Sequence, residues 1–138
     1  RYPDEVRPAQ IEVAKLLYGI HGIERADIEG RNRVNRRNVM AFDAPVMGFV
    51  FVHEGMLPWS AMDAGLMLQT LFLSAKSRGI DSCPVGILAT WREPVEAEFE
   101  IPEGYQFITG FALGYADSEA PINAMQAPRP PIQLLEGK

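Results

Sequence analysis

Few residues in this chain combine a reactive type with a useful spacing, and the exceptions bound what it could do. His21 and His53 are its only histidines. Neither has a second ligand or a nucleophile at the spacing of a zinc site or a catalytic triad, so both are expected to be structural and no metal is expected. The one cysteine, Cys83, has apolar or neutral neighbours and no Cys-x-x-Cys partner. With nothing to lower its pKa, it reads as a small buried hydrophobe. Arg31, Arg33, Arg36 and Arg37 have the density of a phosphate-binding run. Glu24, Asp27 and Glu29 lie just upstream, however, and mixed charge at that density marks a solvated helix face. The Pro84-Val85-Gly86 turn is different, because its chemistry would reside in the backbone. Proline removes one donor, and the amides that follow, with no side chain on Gly86, can approach a planar ligand and donate to one of its edges. A redox ring can be tuned in this way without a catalytic side chain. Arg129, between Pro128 and Pro130, stands on fixed backbone that could aim its guanidinium at a phosphate.

The 138 residues are 47% apolar, enough for one domain with a buried core. A single domain over residues 1–138 is expected, with residues 116–138 as an extended arm, because Pro121, Pro128, Pro130 and Pro131 forbid a helix there. The formal charge of −5 lacks the positive field that counterion release from nucleic-acid phosphates requires, which argues against a nucleic-acid partner. No uncharged apolar run approaches the length of a membrane span, so membrane crossing is not expected. A lone cysteine cannot form an internal disulfide, which fits a reducing, cytoplasmic compartment.

These residues need elements to position them. Pro8 suits a first helical turn, and Ile11, Ala14, Leu17 and their neighbours give an apolar face, predicting a helix over residues 9–20. Residues 24–38 are mostly charged, with Ile28, Val34 and Val39 spaced to touch a core, and predict a surface helix. Residues 45–53 are β-branched or aromatic and nearly free of polarity, the pattern of a central strand covered on both faces. Ser60 then offers an N-cap hydroxyl, and Lys76, Arg78 and a left-handed Gly79 mark a helix end. Between them Met62, Leu66, Met67, Leu68, Leu71, Phe72 and Leu73 cover almost every side, so this helix should be buried all round, in a thick core or a subunit interface. Gly65 within it predicts the close approach of another backbone. A strand over 80–83, a short helix over 94–100 and a strand over 105–115 complete the order helix, helix, strand, helix, strand, helix, strand. That order predicts an α/β sandwich with helices packed on a sheet.

Taken together, the 59–79 helix with Ala64 and Gln69, the Arg78-Gly79-Ile80-Asp81-Ser82-Cys83-Pro84-Val85-Gly86 junction, the Phe111-Ala112-Leu113-Gly114-Tyr115 strand and the tail with Asn123 and Arg129-Pro130-Pro131 resemble the nitroreductase family in order and spacing. Arg1-Tyr2-Pro3 resembles a mid-chain position of its nitrobenzoate-reductase-like branch. The resemblance implies a nitroreductase-like α+β sandwich, with a central, mostly antiparallel sheet flanked by helices. It is expected to be incomplete at the N-terminus, because the family's leading Arg-x-Ser-x-Arg segment has no counterpart here. It also implies an FMN-dependent oxidoreductase that takes a hydride from NADH or NADPH and passes electrons to a nitroaromatic, quinone or similar small-molecule acceptor. The flavin carries that chemistry, so no catalytic side chain is expected. By the same resemblance Pro84, Val85 and Gly86 face the ring edge near N5, Arg129 holds the FMN phosphate, and two chains form a homodimer with flavins at the interface. Met125 and Gln126 replace a further basic residue ahead of Arg129. The alternative is a non-catalytic dimerisation or binding module, which the lack of the leading flavin-binding segment would favour.

Overall fold

The structure is a computed structural model and describes residues 3–129, 131 and 134. Arg1, Tyr2 and Pro130, which the resemblance drew on, lie outside the described residues, as does most of the tail beyond them. The regular elements are helices α1 (Arg7–Ile20), α2 (Ile28–Val39), α3 (Trp59–Lys76) and α4 (Glu93–Glu98) and strands β1 (Val46–His53), β2 (Asp81–Val85) and β3 (Tyr105–Gly114). They follow one another in the order read from the sequence. The chain divides into two compact units, Arg1–Arg31 with Asp117–Lys138, and Asn32–Ala116.

In the second unit the strands form one antiparallel sheet in the order β1-β3-β2. β3 is therefore the central strand. β1, whose apolar run predicted a central place, pairs among the described residues with β3 alone. Its composition reflects coverage of both faces instead. On one face Val50 and Val52 pack with Ala64 and Leu68 of α3, joined by Ile108 and Phe111. On the other, Phe49 and Phe51 pack with Val85, Leu88, Val95 and Phe107, and the Phe99 ring lies 5.3 Å from that of Phe49.

β3 serves both faces through a slip in register. Val50 pairs with Thr109 but Phe51 pairs with Phe107, so Ile108 is an extra residue, a β-bulge that reverses the alternation. Phe107, Gly110 and Ala112 consequently share a face that strict alternation would divide. Two glycines admit the layers above and below. A Cβ at Gly48 would run into the Phe111 ring, and one at Gly110 would lie 2.7 Å from Leu88 Cδ1.

α3 starts one residue earlier than the capping pattern predicted. Pro58 O already accepts from Ala61 and Met62 N–H, so Ser60 lies inside the first turn, where its hydroxyl donates back to Met56 O at 3.4 Å. A side chain turned toward a preceding carbonyl cannot cap the amides ahead of it. The other end is as expected: Gly79 has φ +76°, its N–H bonds Lys76 O, and Ile80 N–H bonds Ala75 O. This is the paired arrangement of a Schellman motif. Within α3 only Ala64, Leu68 and Ala75 are buried, and Met62, Leu66, Met67 and Leu73 are 59%, 63%, 51% and 63% exposed. A Cβ on Gly65 would meet nothing within 4 Å. The chain by itself supplies neither the thick core nor the close backbone approach expected around this helix.

The link from α2 to β1 is unusual. Ala41, Phe42 and Asp43 have φ of +51°, +56° and +63°, a left-handed run without glycine in which each residue costs roughly 1–2 kcal/mol. Asp43 N–H to Met40 O and Ala44 N–H to Ala41 O, both 3.0 Å, close the turn. In the first unit, α1 packs against the 3-10 turn Pro121–Ala124, and Asn123 Nδ2 donates to Asp117 O at 2.8 Å. None of the described helices is long and apolar enough to cross a membrane.

Candidate functional site

Residues 84–86 are the end of a strand rather than a free turn. β2 runs through Val85 instead of stopping at Cys83, since on an edge strand the missing N–H of Pro84 need interrupt no ladder bond. The 3-10 turn Gly86–Thr90 follows at once. Val85 is 1% exposed and stands opposite Gly110. Its side chain is locked in the core, so a ligand could reach only its backbone. Gly86 is exposed, and a Cβ there would meet nothing within 4 Å. Open space thus adjoins this backbone, and the first amides of a 3-10 turn have no carbonyl behind them in the turn. That donor set fits a planar group with an acceptor-bearing edge.

Ala41 and Leu88, 4% and 3% exposed, lie behind Val85 in the same packed cluster. Sequence reasoning missed both. Nothing in Met40-Ala41-Phe42-Asp43 announces a left-handed turn, because the residue that normally marks one, glycine, is absent. Arg129 belongs to the other unit. It is exposed, and among the described residues nothing pairs with its guanidinium. Its planar fork is thus free for an anion with phosphate-like oxygens.

The remaining candidates have local roles. His53 Nδ1 accepts from Gly55 N–H at 3.2 Å, with its ring edge-on to Tyr105 at 5.3 Å. His21 closes α1, its backbone N–H bonded to Tyr18 O. Among the described residues no group of three or more His, Cys, Asp or Glu is placed to hold a metal ion. Cys83, expected to be buried, is exposed: it lies on an edge strand, ahead of the turn that covers Val85. Partial desolvation nonetheless raises its pKa, so the thiol stays protonated at neutral pH. Arg31 lies 5.4 Å over the Tyr18 ring, and Arg33, Arg36 and Arg37 are exposed on α2.

An antiparallel sheet with α3 on one face and the 86–98 segment on the other defines an α+β sandwich. A family model described as the nitroreductase family matches residues 3–115, and the chain belongs to that family. Its relatives include a 4-nitrobenzoate reductase from Pseudomonas putida, 36% identical over 132 residues, covering 92% of this chain and 58% of the relative. A chloronitrobenzene nitroreductase from Comamonas testosteroni is 35% identical over 116 residues, 83% of this chain and 50% of its own. Among solved structures, the FMN and NADPH-dependent nitroreductase NfnB from sphigopyxis sp. strain HMH superposes with a TM-score of 0.90 at 31% identity, over 99% of this chain and 63% of that one. NfnB from Mycobacterium smegmatis, in complex with NADPH, gives 0.84 at 27% identity over 94% and 58%. The chain therefore spans half to just under two thirds of these relatives' lengths.

Proposed function

We propose that this protein is an FMN-dependent oxidoreductase that draws hydride from NADPH or NADH and reduces a nitroaromatic, quinone or similar small molecule. The observation that carries this reading is the end of β2, where a core-anchored Val85 and an unobstructed Gly86 present backbone beside open space. When bound, FMN would supply the redox chemistry, taking up hydride from the nicotinamide and returning electrons to the acceptor. The residues of the chain bind and orient. Pro84 has no N–H to offer, which leaves donation to the residues after it. The buried Val85 side chain fixes those donors in advance, and fixed dipoles need no reorganisation when charge develops on a ring edge. Gly86 keeps the approach clear of a side chain, and Arg129 would balance the phosphate charge. No side chain is assigned proton transfer or nucleophilic attack. The names of the nitrobenzoate, chloronitrobenzene and FMN-dependent relatives support the same substrate and cofactor classes.

The exposed side of α3 supports a homodimer. Met62, Leu66, Met67 and Leu73 form apolar surface beside an unobstructed Gly65, and contiguous apolar surface of this kind marks an interface. The unpaired thiol fits a reducing, cytoplasmic setting. Titration with FMN, followed by flavin fluorescence and the visible spectrum, tests the central claim. Saturable quenching with a shifted absorption band is expected, and then NADPH oxidation dependent on 4-nitrobenzoate. Arg129→Ala should weaken FMN binding by about tenfold or more, since one charge-assisted phosphate contact is lost. Unchanged affinity would remove Arg129 from the site. A chain that ignores FMN would overturn the flavin reading and favour the non-catalytic dimerisation module.

A further inference from the structure

The backbone of Val85 and Gly86 is backed by a turn that is itself under strain. We propose that Ala41 is a positioning residue for that backbone, and that the left-handed turn over residues 41–43 exists to seat its methyl group there. The use of this device rests on the flavin reading above, although the contact itself does not.

Three observations converge. Ala41, Phe42 and Asp43 take φ of +51°, +56° and +63°, where glycine at any of them would relieve the crowding. Non-glycine residues persist in this region only where their surroundings over-determine them, and such sites cluster at ligand clamps and active sites. Burial within the turn is also one-sided. Ala41 is 4% exposed and clustered with Val85 and Leu88, while Phe42 and Asp43 are exposed. The strain thus serves to place a single methyl group.

β3 supplies the floor. Gly110, Ala112 and Gly114 alternate onto one face beyond the bulge. A Cβ at Gly110 would lie 2.7 Å from Leu88 Cδ1, and one at Gly114 would lie 2.9 Å from Pro45 Cδ and 3.5 Å from Ala44 Cβ. Leu88, from the turn after Val85, and the Ala44-Pro45 exit of the left-handed turn therefore seat in neighbouring slots of one small-residue floor. Ala112, 3% exposed, lies between them in the same cluster as Ala41. Close-packed groups of this kind transmit displacement rather than absorb it. A shift of Ala41 is passed to Val85 and so to the Gly86 amide.

Amide hydrogen exchange on the full chain without FMN tests the contact. Ala41→Gly relaxes the strained φ and removes the methyl, so the gain and the loss oppose each other in global stability while the contact disappears. Exchange at the amides of residues 85–88 should speed by about tenfold beyond any change in β1. Val52→Ala, at a site 5% exposed among the residues facing α3, should speed them only in step with the rest of the sheet. Gly114→Ala, which pushes Pro45 while leaving the Ala41 methyl in place, should act like Ala41→Gly and carries the test if that variant does not fold. Exchange at 85–88 that tracks the whole sheet in both variants would overturn the proposal. The wild-type FMN titration is read separately. Failure to bind FMN with a positive exchange result removes the flavin reading alone, and binding with a negative exchange result removes the positioning role alone.

Discussion

Asp81 joins the end of α3 to the exit of β3 through two donors, Lys76 Nζ at 2.5 Å and Ala116 N–H at 3.0 Å. The hydrogen bond from Lys76, and after it that from Ala116, hold the carboxyl below the usual carboxylate range. A folded-state pKa that is depressed stabilises above the unfolded value of about 3.9, and the contribution is lost as pH falls through the folded value. Asp81→Asn should therefore lower the thermal midpoint at pH 7 and matter little near pH 2, as read by circular dichroism melts at the two pH values. An equal loss at both would show that the charge is not what matters. The side chain is solvent-screened, so the expected effect is small. Nothing in the sequence paired Asp81 with Ala116, because that bond closes across the sheet. Cys83 illustrates the same limit, since its neighbours in sequence argue for burial and only its place on an edge strand exposes it.

At the scale of elements, the sheet depends on a glycine that an aromatic ring covers. Phe111 lies across Gly48 and meets Phe72 of α3 with ring centroids 5.9 Å apart. Gly48→Ala must displace that ring from the α3 layer and should cost about 1–3 kcal/mol by chemical denaturation, the usual range for overpacking. A smaller loss would mean that the ring has room to move. The helices were readable where their signals are local: Gly79 stops α3 with backbone bonds to Lys76 and Ala75 only a few residues away. Ser60 failed as a cap because the chain enters α3 through Pro58, which had already taken the boundary. The bulge at Ile108 was invisible for a different reason. An extra residue in β3 has meaning only against its partner strand, β1.

For the whole molecule, the exposed side of α3 sets the main expectation. With no neighbour near Gly65, Gly65→Ala in the isolated chain should stabilise the helix by about 1 kcal/mol. Gly65→Leu should instead break the proposed dimer by overpacking a helix contact. Light scattering after size exclusion reads the second effect, and a thermal midpoint that rises with protein concentration reads the association itself. A dimer of normal stability carrying Gly65→Leu would place the interface elsewhere on the molecule.

The sequence by itself determined the kind and order of the elements, the stop at Gly79, the aromatic and β-branched strands and the membership of a family. These rest on periodicity and turn chemistry, which act over a few neighbouring residues. Tertiary structure alone decided that β1 pairs only with β3 among the described residues, that Phe107 shares a face with Ala112, that Val85 turns inward while Gly86 stays open, and that Ala41 is seated by a left-handed turn. Each of these depends on contacts between residues far apart in the chain, such as Val50 with Thr109. No local preference encodes such contacts, and burial across them can outweigh the backbone strain that local preference would avoid.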